Sequence, residues 1–452
     1  MSNLVKNIKN VSGFAYFVLI GLILVFDRSA VGLYIRGIQL GKIIIGISLF
    51  ASFIFVLFKL FKNNYFELDD FGNSLNIFSL IIFSFFISLF IHSTAVFSEY
   101  SYKSSSYIWT VGIFYASLYI FSDSKRYIKT IEYLIYPALL IPFVHYIFST
   151  GYYPNFVMDI FIKYSDKFSF NKASDIMLTL ISLNFINYRI NRNKTFTIFY
   201  LVVSTSLLLP LLLLMSRGSF LSAFLFLAGA LLFDWKYIIS NLKKTIPIIL
   251  FGIFVFGIST YNVSDVDFSF NFNFGENVEE DTVVDNIQKI AKKNNTRKAF
   301  LSFYFKDGRV FSIDNTTNWR LDIWQDVIED MNKKDIMLKG YGYNEIIPVM
   351  LDPSAPGRLG RDGLNENVHN YFINIFARGG MIQLLFFILF HISYIRVWYK
   401  RNKNYEILIF VIPAILNSSL DITMEGVQFP FVYYSMLGIF YNLEKLVKNK
   451  SI

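Results

Sequence analysis

Apolar residues fall into twelve runs, separated by short polar stretches and one long one. The first six are roughly Gly13 to Phe26, Leu40 to Phe58, Ile77 to Ile91, Tyr107 to Phe121, Ile128 to Phe148 and Ala173 to Ile186. The second six are Phe196 to Met215, Phe220 to Phe233, Ile246 to Tyr261, Tyr371 to Tyr394, Ile407 to Leu420 and Val427 to Leu443. A straight crossing of a bilayer takes about 20 apolar residues. Several runs are shorter, but their Ser, Tyr and Asn flanks suit the interface and let the ends extend. The pattern predicts an all-α polytopic membrane protein with about 12 transmembrane helices.

The long polar stretch, Asn262 to Val368, is about a hundred residues, far beyond an ordinary connection. It divides the chain into helices one to nine (1–261), a cap (262–368) and helices ten to twelve (369–452). Within the cap, Val278 to Lys293 carries its acids early and its lysines late, the order a helix dipole favours. Lys306-Asp307-Gly308 reads as a turn between two short apolar runs. Asn318 to Met331 reads as an amphipathic helix, with Trp319, Ile323 and Val327 recurring every four residues and Arg320 and Trp324 beside them. Gly340-Tyr341-Gly342 follows, then a Pro- and Gly-rich stretch from Pro348 to Asn367 with Arg358 and Arg361, which reads as a mobile cover. The whole is expected to be a mostly helical cap.

Composition sharpens this picture. Of 452 residues, 54% are hydrophobic and only 17% charged, too few charges to cover a soluble surface of this size. There is no cysteine, hence no disulfide or thiolate chemistry. The first apolar run lacks a small-residue cleavage site after it and is expected to be a retained helix.

The net charge of +9 matters less than its placement. Lysines and arginines gather at Lys6 and Lys9, at Lys59 and Lys62, at Lys125, Arg126 and Lys129, and at Arg189, Arg192 and Lys194. They gather again at Lys236, Lys243 and Lys244, at Arg396, Lys400, Arg401 and Lys403, and at Lys445, Lys448 and Lys450. Counting twelve helices puts every group on one side. By the positive-inside rule that side is the cytoplasm, with both termini inside and the cap outside. A basic balance so distributed gives no argument for nucleic acid. Arg28, Arg36, Lys42 and Arg217 stand on the wrong side for this rule. Snorkelling to headgroups accounts for Arg28 and Lys42. Arg217 lies in a break, Met215-Ser216-Arg217-Gly218-Ser219, where a cation is costly unless paired or facing water.

His369 ends the polar stretch, in Asn367-Val368-His369-Asn370-Tyr371, where loop gives way to a membrane helix. The position fits a helix N-cap region built by Asn367 or Asn370. It also fits a functional imidazole, because His titrates near neutrality. Arg217, Arg320 and His369 are expected on one side of the membrane. A guanidinium fork matches phosphate oxygens and an imidazole can take a hydroxyl proton, so the set suits transfer off a lipid-linked phosphate to an alcohol. No HExxH or spaced His cluster points to a metal, and no Gly-Lys-Ser motif to ATP. Asp265-Val266-Asp267 reads as a solvated turn, and His92, His145 and His391 read as packing residues in apolar helices.

Arg217-x-x-x-Leu221, a long outer loop with Arg320-x-x-x-Trp324, Gly340-x-Gly342, and His369-Asn370 followed by a glycine pair resemble, in that order, the O-antigen polymerase and ligase superfamily. The resemblance covers the second half of the chain. Where that pattern has a second glycine-like position after Gly380, this chain has Gln383.

The resemblance implies a metal- and cofactor-independent membrane glycosyltransferase of the bacterial inner membrane, its active site facing the periplasm. The donor would be a polyprenyl-diphosphate-linked oligosaccharide. Arg217 and Arg320 would hold the diphosphate, and His369 would orient or deprotonate the acceptor hydroxyl. Asn370, Arg36, Trp324, Arg358 and Arg361 would contact substrate. Polymerases of this kind resemble the chain in length and in its Phe-, Ile-, Asn- and Lys-rich composition. The expectation is therefore a polymerase, with a chain-length-regulating copolymerase as partner. The alternative is a ligase moving the glycan to lipid A core. A twelve-helix transporter is the remote alternative, but the long cap after helix nine breaks the two-fold symmetry it would need.

Overall fold

The structure is a computed structural model. It describes residues 2–61, 69–96, 98–122, 133–152, 154–165, 172–191, 193–264, 303–306, 308–312, 315–353, 358–359, 366–421 and 423–449. Each of the twelve apolar runs is helical where described. In the first half lie α1 (Ser2–Val31), α2 (Leu40–Phe61), α3 (Gly72–Ile91), α4 (Glu99–Ser104), α5 (Ser106–Trp109) and α6 (Val111–Ile120). After them come α7 (Ile141–Ser149), α8 (Asn155–Tyr164) and α9 (Ala173–Ile190). The second half holds α10 (Lys194–Met215), α11 (Arg217–Phe233), α12 (Trp235–Ser240) and α13 (Leu242–Ser264). The cap helix α14 (Asn315–Lys333) precedes α15 (Tyr371–Asn402), α16 (Leu408–Leu420) and α17 (Gln428–Asn449). Among the described residues, six helices are long and apolar enough to cross a membrane: α1, α2, α3, α10, α13 and α15. Four apolar helices are shorter, at Ser106–Ile120, Tyr133–Ser149, Arg217–Phe233 and Leu408–Leu420.

The bundle is held by side chains on both sides of α17, which packs on α6 and α9, while α15 packs on α3 and α11 on α16. Phe185 of α9 meets Phe440 of α17 at 4.6 Å, and Phe114 of α6 meets Tyr394 of α15 edge-on at 5.5 Å. Such ring pairs add about 1 kcal/mol each beyond the area they bury. At one end of the bundle, charged residues join the helices: Lys194 pairs with Asp234 at 3.0 Å and Arg189 pairs with Glu406. The other end carries the cap.

The cap differs from the expected helical fold in one respect. Its described part contains an antiparallel hairpin, Phe303–Lys306 (β3) with Arg309–Ser312 (β4). The predicted turn falls between these strands; Gly308 takes φ +75°, and Asp307 lies outside the described residues. The flanking runs are short and rich in aromatic and β-branched residues, so they pair as strands. Behind the hairpin, α14 buries Ile323 and Val327 of the predicted stripe, with Trp319 partly buried beside them and Met331 buried one step further on. An unforeseen hairpin, Tyr34–Ile35 (β1) with Ile38–Gln39 (β2), joins α1 to α2, with Arg36 and Gly37 both at positive φ in its turn. The charge-ordered stretch Val278 to Lys293, the Asp265-Val266-Asp267 turn and Arg361 lie outside the described residues.

The cap is seated by glycine. The α15 helix breaks at Gly380 (φ 73°), and residues 337–342 dock into the break. Tyr341 N–H donates to Ala377 O at 2.8 Å, Gly342 N–H to Arg378 O at 3.0 Å, and Met381 N–H to Met337 O at 2.9 Å. A Cβ at Gly380 would sit 2.0 Å from Leu338 O, and one at Gly340 2.5 Å from Arg378 O. Gln383 fills the departure from the family pattern. It accepts from Tyr343 and, at 3.4 Å, from Tyr107, and donates to Ser84 at 3.3 Å.

Candidate functional site

Four helix ends meet under the cap. The extended residue Ser216 separates α10 from α11 and caps α11 by accepting from Ser219 N–H. That leaves Arg217 on the first turn of α11. A Cβ on Gly218 would lie 3.0 Å from Leu420 Cβ, so this turn rests directly on the last residue of α16. Asn417 donates to Ser219 at 2.8 Å across the same contact. From the cap, Arg320 donates a hydrogen bond to Leu420 O. A guanidinium there meets the free carbonyls and negative dipole end of α16. Leu420 thus brings Arg217 and Arg320 to one place.

His369 reaches the same place through a clamp on its backbone. Trp324 Nε1 donates to Val368 O at 2.6 Å on one side. On the other, Asn370 caps α15, its side-chain oxygen accepting from Phe372 and Ile373 N–H at 2.9 and 3.1 Å. Between them His369 takes a left-handed conformation, φ 54°. Its ring lies 5.0 Å from that of Trp319. Burial holds its pKa down, to about 4, helped by the cations of Arg320 and Lys172 and opposed by Asp421. The imidazole is therefore neutral at neutral pH.

The remaining predicted residues sort by position. Trp324 and Asn370 orient His369 through its neighbours' backbone. Arg358 lies elsewhere: it pairs with Asp322 and Asp326 and donates to Val349 O at 2.9 Å. At 3.6 residues per turn those aspartates lie about 200° and 240° round α14 from Arg320, against about 40° for Trp324. Arg309 shares them, at 3.0 and 2.7 Å, so both arginines strap the back of the cap helix. Where sequence suggested a mobile cover, residue 358 is pinned. Arg36 stands exposed on the β1–β2 turn and makes no hydrogen bond or ion pair among the described residues.

Sequence reasoning missed three charged residues here. Lys172, just before α9, pairs with Asp421, just after α16, at 3.4 Å. Glu425 lies in the short turn Thr423–Glu425 that follows. None sits in a recognisable motif, since each is a single charge in a short link between apolar runs. No group of His, Asp and Glu able to hold a metal occurs among the described residues. His92, His145 and His391 pack within helices or at helix ends; His145 Nε2 meets Leu24 O at 2.8 Å and His391 Nδ1 meets Phe387 O at 2.9 Å.

Comparison with known proteins adds a family. No curated protein matches the chain. Residues 199–388 match the family model described as O-antigen ligase. The match runs from α10 into α15 and contains Arg217, Arg320, Trp324, His369 and Asn370. The chain carries an O-antigen ligase family domain over these residues, consistent with the O-antigen polymerase and ligase superfamily that its motifs resemble.

Proposed function

We propose that the chain is a membrane glycosyltransferase that moves a glycan from polyprenyl diphosphate to an acceptor hydroxyl on the outer face of the bacterial inner membrane. The observation that carries this reading is the meeting of Arg217, Arg320 and a neutral, clamped His369 around Leu420. The two guanidinium groups hold the diphosphate and stabilise its growing charge. The acceptor oxygen bonds to the anomeric carbon as that carbon's bond to the phosphate oxygen breaks. The electron pair leaves on the polyprenyl diphosphate, and the hydroxyl proton passes to the His369 imidazole. Trp324 and Asn370 position that imidazole.

Of the two acceptors, we take a second lipid-linked repeat unit as the substrate, which makes the chain a polymerase, served by a chain-length-regulating copolymerase. The matching family model does not separate this from the second reading, a ligase acting on lipid A core. Deleting the gene and running the surface glycan on a gel separates them. Core carrying a single repeat is the expected result. Bare core, with lipid-linked polymer retained, overturns the polymerase reading in favour of the ligase.

A further inference from the structure

Glu425 is a buried acid that the reaction above does not use. It lies outside the stretch matched by the family, five residues beyond the Leu420 carbonyl that Arg320 holds. Both its carboxyl oxygens are closed off from solvent, and neither has a hydrogen-bond partner among the described residues. Its charged neighbours are Arg378, Lys172 and Asp421, and the Tyr107 hydroxyl also lies within its field. Lys172 and Asp421 act on His369 as well, so Glu425 and His369 face the same ion pair. A buried carboxyl without a hydrogen-bond partner is left with the cost of its desolvation uncompensated. A partner that arrives with the substrate would remove that cost.

The chemistry of the partner follows from the carboxyl. A diphosphate offers only acceptors and negative charge, so it can use the one O–H of a protonated Glu425 at most and repels the carboxylate, whereas Arg217 and Arg320 suit it in full. A metal cation is disfavoured by Arg378 and Lys172. An acid to protonate the leaving group has no work, because a diphosphate leaves as an anion. Sugar hydroxyls both donate and accept, and they meet a carboxyl well in either protonation state. Burial lifts Glu425 to about 8, so at neutral pH it is a neutral acid able to do both.

We propose that Glu425 binds sugar hydroxyls of the transferred or accepting saccharide, beside a diphosphate held by Arg217 and Arg320; this rests on the glycosyltransferase reading. The division of labour is simple. Cations read the phosphates, which every polyprenyl-linked substrate shares, and Glu425 reads the saccharide, which differs between substrates.

The test uses the purified full chain in nanodiscs with two probes: undecaprenyl diphosphate carrying one repeat unit, from cells lacking this chain, and bare undecaprenyl diphosphate. Binding of each is measured, and turnover is measured with donor and acceptor concentrations varied separately. Glu425→Ala is expected to weaken the saccharide-bearing probe at least tenfold and the bare probe less than twofold. KM rises for whichever substrate Glu425 touches, donor or acceptor, while kcat falls less. Glu425→Gln keeps a donor and an acceptor and is expected to lie between Ala and wild type. Equal weakening of both probes, or an unchanged saccharide-bearing probe, overturns the proposal while wild-type turnover leaves the glycosyltransferase reading standing. A wild-type chain that binds neither probe and shows no transfer overturns both.

Discussion

At the scale of single residues, the site poses two questions of charge. The first is whether Arg217 and Arg320 act as forks or as bare cations. Lysine preserves the charge and loses the two-pronged contact. Arg217→Lys and Arg320→Lys are each expected to lower kcat/KM at least tenfold at normal protein levels. Full activity for Arg217→Lys would make it a topological residue. The second question is how an imidazole held near pKa 4 serves as a base. A base works unprotonated, so activity is lost as pH falls through its pKa. In kcat/KM that limb reports the free protein and is expected to be flat down to about pH 5. Bound diphosphate offsets Arg320 and favours the imidazolium, so in kcat the limb moves to higher pH. Limbs at the same pH in both plots would remove His369 from the proton transfer. His369→Gln keeps a hydrogen bond but no base, and is expected to cost about 10²- to 10⁴-fold in kcat with donor affinity retained.

At the scale of elements, the cap helix and the break in α15 decide whether those residues meet. Trp324 holds the carbonyl before His369 at 2.6 Å, and Asn370 fixes the turn after it. Trp324→Phe retains the ring and loses the donor. It is expected to lower kcat several-fold with the folded protein intact, and wild-type kcat would show that the clamp is not needed. Gly380→Ala places a methyl 2.0 Å from Leu338 O at a positive φ. The expected cost is on the order of 3 kcal/mol, read as a lowered melting temperature or as lost protein. An unchanged melting temperature would mean that the cap does not dock as described. The sequence exposed much of this level. The stripe Trp319, Ile323 and Val327 marked α14, and Gly340 and Gly380, which the resemblance singled out, stand where backbones meet closely. It hid the strap of Arg358 on Asp322 and Asp326, because a partnership 32 to 36 residues apart leaves no periodic trace. Lys172, Asp421 and Glu425 were hidden for the same reason, since only folding sets the ends of α9 and α16 side by side.

At the scale of the molecule, hydrophobic runs located the helices because burial in lipid leaves a helix little alternative for its backbone. Which end faces outward is a question of charge. The end opposite the cap carries Arg189, Lys194, Lys236, Lys243, Lys244 and Arg401. By the positive-inside rule that end is expected in the cytoplasm and the arginines of the cap outside. The absence of cysteine makes every introduced thiol unique, so the chain is suited to labelling. Lys333, at the end of the cap helix, is 69% exposed, and Lys243, at the start of α13, is exposed at the opposite end. Lys333→Cys is expected to react with an impermeant maleimide in intact spheroplasts, and Lys243→Cys only after lysis. The reverse pattern would turn the molecule over. His369 and the arginines would then face the cytoplasm, and a donor presented at the outer leaflet could not reach them.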